Sequence, residues 1–430
     1  MYISVVPFQI QQPFGDIDMR SRTVLLCLFL AAVLPALAKE PSVKTGIEVL
    51  RSRGFDILRG KRVGLITNPT GVDSRLQSTI DILAHAPGVT LAALYGPEHG
   101  VRGNVAAGMK VEASADPKTG VPLFSLYGKT MKPTAEMLKN VDVLVYDIQD
   151  IGVRSYTYIS TMGLCMEAAA ENNIPFVVLD RPDPLGGIRL EGALVEKGFE
   201  SFVSRYPIPY VYGATPGELA RYLNGEHLLN AAASCSLTVV PMSGWKRSMT
   251  FEQTGLPWVP TSPHVPDADS PLYYVATGIM GELGSFSEGV GFPLPFKLFG
   301  ATWIDEQAFA DTMNAKNLKG IIFRPITYRP FYGHDAGKDL HGVQLHILDP
   351  AAVNLVSIQF LLMEAHHAMY PDRPIFGADS GRTAMFDKVV GTDAIRKAFQ
   401  RRYLWEDVRW LMQKPLQEFR ERFKRYALYK

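Results

Sequence analysis

Between residues 60 and 240, short runs of apolar, largely β-branched residues alternate with stretches whose apolar positions recur every three or four residues. The runs at 62–66, 89–94, 141–148, 176–179 and 237–240 predict strands, and the stretches at 77–85, 134–139, 160–172 and 216–224 predict helices. Strands apolar on both faces and separated by helices predict a parallel sheet covered on both sides. Thr215 and Pro216 supply an N-cap and a first-turn residue for the last of these helices.

The pattern changes after Trp245. Residues 254–271 are rich in Pro, Ser and Asp and predict a long irregular connection, and a Gly-rich stretch follows at 278–291. Further strands are predicted at 320–324 and 343–348, and helices within 392–402 and 415–426. The expected organisation is an α/β chain with a mostly parallel sheet domain over 41–250 and a second, smaller α+β domain over 251–430. No internal repeat interrupts it.

A length of 430 residues exceeds one typical core and agrees with that division. Hydrophobic residues at 47% and charged residues at 20% describe a soluble globular chain. Lys plus Arg number 44 against 43 Asp plus Glu, a net charge of +1, and no basic cluster stands out, which argues against a nucleic-acid partner. Arg20 and Arg22 precede an apolar run at 24–34 and an Ala-x-Ala pattern ending at Ala38. Residues 1–38 therefore read as a cleaved signal peptide, with Met19 a candidate start, and the mature chain as periplasmic or secreted without stable membrane insertion. Two cysteines then remain, Cys165 and Cys235. They could pair in an oxidising compartment or simply fill a core, and they are too few for a structural zinc site of the usual kind.

Ligands of an open α/β sheet bind beyond the carboxyl ends of its strands. The first strand leads into Thr67-Asn68-Pro69-Thr70-Gly71 and the second into Gly96-Pro97-Glu98-His99-Gly100, with Arg102 just beyond. The third leads into Asp147-Ile148-Gln149-Asp150-Ile151-Gly152-Val153-Arg154, followed by Tyr156, and the fourth into Asp180-Arg181-Pro182. Each terminus carries polar groups beside Gly or Pro, which form fixed turns. Glu98 is the sharpest candidate. A poorly solvated carboxyl at a strand end keeps its proton to higher pH, as a general acid at neutral pH must. Glu167, among small and apolar neighbours in the 160–172 helix, needs a partner or a task if buried. Glu282 and Glu288, in the Gly-rich stretch, could reach across a cleft. Glycoside hydrolysis needs two carboxyl groups flanking the bond, and Tyr95, Tyr127, Tyr156 and Tyr158 could stack on sugar faces. No dinucleotide fingerprint, Walker loop or Gly-x-Ser-x-Gly elbow is present.

These same strings resemble one family. The segments Gly64–Gly71, Gly96–Gly103, Asp147–Arg154, Tyr156–Thr161 and Leu179–Pro182 are similar to the motifs of the NamZ-type exo-β-N-acetylmuramidases. The likeness runs from about Thr45 to Tyr429. It implies a Rossmann-like catalytic domain, a smaller C-terminal domain closing the cleft, and release of non-reducing terminal N-acetylmuramic acid without a cofactor. It also implies that Glu98 is catalytic and that a second family glutamate falls on Glu167. The remaining strand-end residues (Asn68, His99, Arg102, Asp147, Gln149, Asp150, Arg154, Tyr156, Asp180, Arg181), with Glu282 and Glu288, become expected substrate contacts. The chain departs from the family pattern at Tyr212 and Ala214, at His264, and at Val290, where the family has an arginine able to grip a carboxylate. Two other readings stay open on the residues alone: a non-catalytic binder of cell-wall saccharides, and a metal-dependent hydrolase built on His99, Asp147 and Asp150.

Overall fold

The computed structural model describes residues 42–98, 100–102, 114–377 and 379–430, so the expected leader lies outside the described residues. In chain order the elements are α1 (Gly46–Ser52), β1 (Arg62–Thr67), α2 (Thr79–Ala84), β2 (Thr90–Gly96), β3 (Ser114–Ala115), β4 (Pro122–Ser125), α3 (Ala135–Leu138), β5 (Val143–Asp147), α4 (Tyr158–Glu171), β6 (Phe176–Leu179), α5 (Pro216–Gly225) and β7 (Leu237–Val240). They continue with α6 (Ser270–Gly281), β8 (Leu298–Ala301), α7 (Glu306–Ala315), β9 (Ile321–Tyr328), β10 (Leu340–Ile347), α8 (Leu355–Met369), α9 (Ser380–Val390), α10 (Ala394–Phe399), α11 (Glu406–Gln413) and α12 (Leu416–Phe423).

The first sheet has the strand order β3-β4-β2-β1-β5-β6-β7. Six of its strands run parallel, and only the short edge strand β3 is antiparallel. Every residue of β5 and β6 is buried, as expected of central strands with helices on both faces. Chain order reverses between β1 and β5, so the crevice at their carboxyl ends, around Asn68 and Gln149, is the topological switch point where α/β sheets bind ligands.

The second sheet is antiparallel with order β8-β10-β9; α7 packs on β9 and β10, and α8 packs on α6 and α7. Pro325 is tolerated in β9 because that strand is an edge and lacks only a solvent-side donor. The chain is therefore an α/β fold with a six-strand parallel sheet and a smaller part built on an antiparallel sheet. Among the described residues no helix is long and apolar enough to cross a membrane.

Local chemistry explains most boundaries. Thr215 caps α5 by accepting from the Glu218 amide at 3.2 Å, while the Glu218 side chain returns to the Thr215 amide at 3.1 Å, a full capping box. The Gly-rich stretch is helical as far as Gly281, because Pro271 and the Ser270 hydroxyl start α6 and Gly278 lies against Tyr274 and Tyr210. The C-terminal α12 returns to the first sheet, where Phe419, Phe423 and Tyr426 surround Tyr222. The Tyr429 hydroxyl then donates to Asp180 at 2.5 Å and accepts from the Met242 amide at 2.8 Å. Cys165 and Cys235 are both free and buried.

Candidate active site

Glu98 follows the β2 carboxyl end and is half-buried rather than enclosed. The Thr157 hydroxyl, at the start of α4, donates to its Oε2 at 3.3 Å. The Tyr127 hydroxyl lies against the same carboxylate and is pushed up to about 12, first by burial and then by Glu98. Tyr158, the first residue of α4, donates to the Thr261 carbonyl at 2.6 Å, and Tyr156 donates to the Thr261 hydroxyl at 2.7 Å. Both rings are fixed edge-on at 5.0 Å, and Tyr156 also meets Tyr274 of α6 edge-on at 5.9 Å. Tyr274 bonds Ser155 at 3.3 Å. Its hydroxyl is raised by burial, with Glu282, Glu98 and Asp150 adding to the effect, so carboxylates from both halves of the chain act on one side chain.

Asn68 completes this wall from the end of β1. It is 2% exposed, and its carbonyl accepts the Thr70 amide at 3.0 Å and the Thr70 hydroxyl at 2.5 Å. Its Nδ2 faces the Tyr158 oxygen but falls short of full hydrogen-bonding geometry, leaving it without a partner among the described residues. A buried unpaired amide donor is costly unless a ligand or water takes it.

In the second half of the chain, Glu288 is surrounded closely enough that burial pushes its carboxyl up to about 7, with Glu282 and Asp335 adding and Arg382 opposing. Glu282 is raised too, mainly by burial. A Cβ on Gly281 would sit 3.0 Å from the Glu288 carboxyl carbon, so glycine there lets the carboxyl lie against the α6 end. Arg382 and Tyr274 were not foreseen; no local motif marks them, and only packing brings them in.

Several expected contacts are consumed by structure. Both oxygens of Asp147 are held, by Arg181 at 2.5 and 3.1 Å and by the Thr79 hydroxyl at 2.5 Å. Arg181 also donates to the Val72 carbonyl at 2.7 Å. Gln149 spends its amide on the carbonyls of Asp150 and Pro182, at 2.8 and 2.7 Å. Asp180 accepts from Gly217, Thr215, Arg181 and Tyr429. Arg102 forks onto Asp116 at 2.7 and 2.9 Å. Arg154 gives all five donors to protein: Ser204, and the carbonyls of Ala193, Ile208, Val389 and Val390. These residues shape the strand ends but offer a saccharide little; their polarity reads as site chemistry in sequence because fixed turns need polar partners too. His99 lies outside the described residues. Among the described residues no three His, Cys, Asp or Glu side chains gather as a metal site requires.

Glu167 is not brought to Glu98. It lies ten residues beyond Thr157 along α4, roughly 15 Å at the helical rise. It is 2% exposed and is paired with Arg205 at 3.0 Å and Lys132 at 3.6 Å, with the Asn230 amide on Oε1 at 3.1 Å. Burial forces those partners. Glu167→Gln is expected to lower the melting temperature while changing turnover no more than a few-fold; a collapse of kcat with an unaltered melting curve would restore a chemical role.

Asp150 is buried, accepts from the Gly152 amide at 2.7 Å and the Tyr212 hydroxyl, and is pushed up to about 7 by burial against those bonds. An unfolded aspartate titrates near 3.9. Between these values the folded chain holds the extra proton, so stability falls as pH rises from about 4 to about 7 and levels off above. Asp150→Asn keeps an acceptor for both donors and is expected to remove part of that slope. Melting curves of both proteins across this range check it, and parallel profiles would refute it.

Comparison with known proteins agrees with this architecture. Residues 63–269 match the model for the N-terminal part of exo-β-N-acetylmuramidase NamZ, and residues 272–429 the model for its C-terminal part. The chain is 45% identical over 392 residues to the peptidoglycan β-N-acetylmuramidase NamZ of Bacillus subtilis (strain 168), covering 91% of this chain and 92% of that one. The crystal structure of a DUF1343 family protein from Bacteroides fragilis NCTC 9343 superposes with a TM-score of 0.87 at 55% identity, covering 90% of this chain and 99% of that one. A second DUF1343 structure from the same strain gives 0.73 at 29% identity, with the same coverage. The parallel sheet, the tyrosine-walled end of β2 and matches spanning both halves thus place this chain in the NamZ exo-β-N-acetylmuramidase family.

Proposed function

We propose that this chain is an exo-acting glycoside hydrolase that releases the non-reducing terminal N-acetylmuramic acid of peptidoglycan fragments. The observation that carries the reading is Glu98: its carboxylate projects, half-buried, from the end of β2 into a wall of hydroxyls, beside the unpartnered Asn68 amide. Glu98 leads proton transfer at the glycosidic oxygen, since a positioned carboxyl is what that step requires. Tyr127, Thr157 and Tyr158 hold the carboxylate and the sugar in register. Asn68 Nδ2 donates to a sugar oxygen, which relieves the cost of its burial. Residues 251–430 close the cleft and supply Glu282 and Glu288, whose raised carboxyls keep protons available for hydrogen bonds to the saccharide.

The charged, apolar and Ala-x-Ala segments ahead of Lys39 support export, which puts the enzyme where peptidoglycan fragments are found. The test is direct. The purified chain is incubated with a disaccharide bearing N-acetylmuramic acid at its non-reducing end, and the products are weighed by mass spectrometry. Free N-acetylmuramic acid is the expected product. An intact disaccharide that nevertheless raises the melting temperature would make the chain a binder instead.

A further inference from the structure

Two large aromatic side chains stand out in solvent on the turn between β9 and β10. Phe331 is 77% exposed and Tyr332 52%. Isolated exposed rings are ordinary, but these two are held. Phe331 stacks on Phe292, with centroids 6.4 Å apart and planes within 13°. Tyr332 stacks on His264 at 5.9 Å and 22°, and its hydroxyl bonds His264 Nε2 at 2.9 Å. The turn is pinned where the Phe331 amide donates to the Gly291 carbonyl at 2.7 Å. Gly291 itself has φ +92°, and a Cβ there would fall 2.1 Å from the Tyr332 carbonyl oxygen, so only glycine allows this approach.

The turn is tied to the site through two neighbouring segments of the chain. His264 lies three residues after Thr261, which receives the hydroxyls of Tyr156 and Tyr158 beside Glu98. Phe292 and Gly291 follow Glu288 closely in the chain, and Tyr328, just before the turn, donates to the Ser287 carbonyl at 3.1 Å. Fixed rings with free faces suit the C–H face of a pyranose, which an aromatic π-face attracts and which needs no hydrogen bond from the protein.

We infer that Phe331 and Tyr332 form a stacking platform for the sugar on the leaving side of the scissile bond, the residue that projects outward while the terminal sugar occupies the Glu98 pocket. This rests on the hydrolase reading above. The platform selects disaccharides and longer fragments over monosaccharide glycosides.

The test compares Phe331→Ala and Tyr332→Ala with the wild type on two substrates: the muramic-acid-ended disaccharide, and the β-glycosyl fluoride of N-acetylmuramic acid, whose leaving group has no ring. Each variant is expected to raise KM for the disaccharide by about tenfold, and by far less for the fluoride. Tyr332→Phe, which keeps the ring, should retain most of the wild-type selectivity. Equal shifts on both substrates, or none on either, would overturn the platform. If the wild type hydrolyses neither substrate, the hydrolase reading fails by itself. Calorimetric titration with the disaccharide then decides the platform, which stands if the alanine variants lose affinity and falls if they do not.

Discussion

Glu98→Gln is expected to reduce turnover of the muramic-acid-ended disaccharide by about 10²–10⁴-fold, the usual worth of a positioned acid or base. The change is nearly isosteric. Glutamine still accepts the Thr157 hydroxyl and still sits beside Tyr127, so the fold loses little. What it cannot do is exchange a proton with the glycosidic oxygen. The loss should therefore appear in kcat, with KM close to the wild-type value, because ground-state contacts from Asn68 and the tyrosine wall remain. Steady-state kinetics with a melting curve on the same sample measure both. Near-normal kcat in a folded variant would remove Glu98 from the chemistry and the proposed mechanism with it.

Arg154→Met is expected to produce the opposite result, a large loss of stability at a residue whose donors are all spent on protein. Its guanidinium is fully buried, lowered by that burial to about 9, and still charged at neutral pH. It draws together carbonyls from 193, 208, 389 and 390, so it locks the segment after β6 against the end of α9. Removing it strands four buried acceptors, each costing on the order of 1–3 kcal/mol, so a loss of about 4 kcal/mol or more is expected even after partial rehydration. Lysine should not rescue it, since three donors at one point cannot replace a planar five-donor fork. Denaturant titration of the three proteins checks this. A lysine variant as stable as the wild type would show that charge, not the fork, matters.

These two residues show why sequence reading separates them poorly. Glu98 and Arg154 both follow apolar strands, both sit beside glycine, and both belong to motifs shared with one family. One stays half-buried beside two hydroxyls and the other is enclosed by carbonyls, and nothing within a few residues of either distinguishes the two outcomes. The same holds for Asp147, Asp180 and Arg181, whose side-chain to side-chain partners lie between 34 and 249 residues away in the chain. Glu167 was legible as a buried charge in need of a partner, but the partner is Arg205.

The sequence by itself determined the parallel sheet, because strands buried on both faces must be apolar throughout and their helices must carry a period near 3.6. It also determined the turn chemistry at the strand ends and the position of Glu98, since those depend on neighbours a few residues apart. The tertiary structure alone decided which polar strand-end residues remain available. It brought Tyr274 within electrostatic reach of both Glu98 and Glu282, set Glu288 beside Glu282 and Arg382, and left Phe331 and Tyr332 exposed on the turn between β9 and β10. Partner choice for a polar side chain is settled by distant segments meeting in three dimensions, and no local period or propensity encodes that meeting.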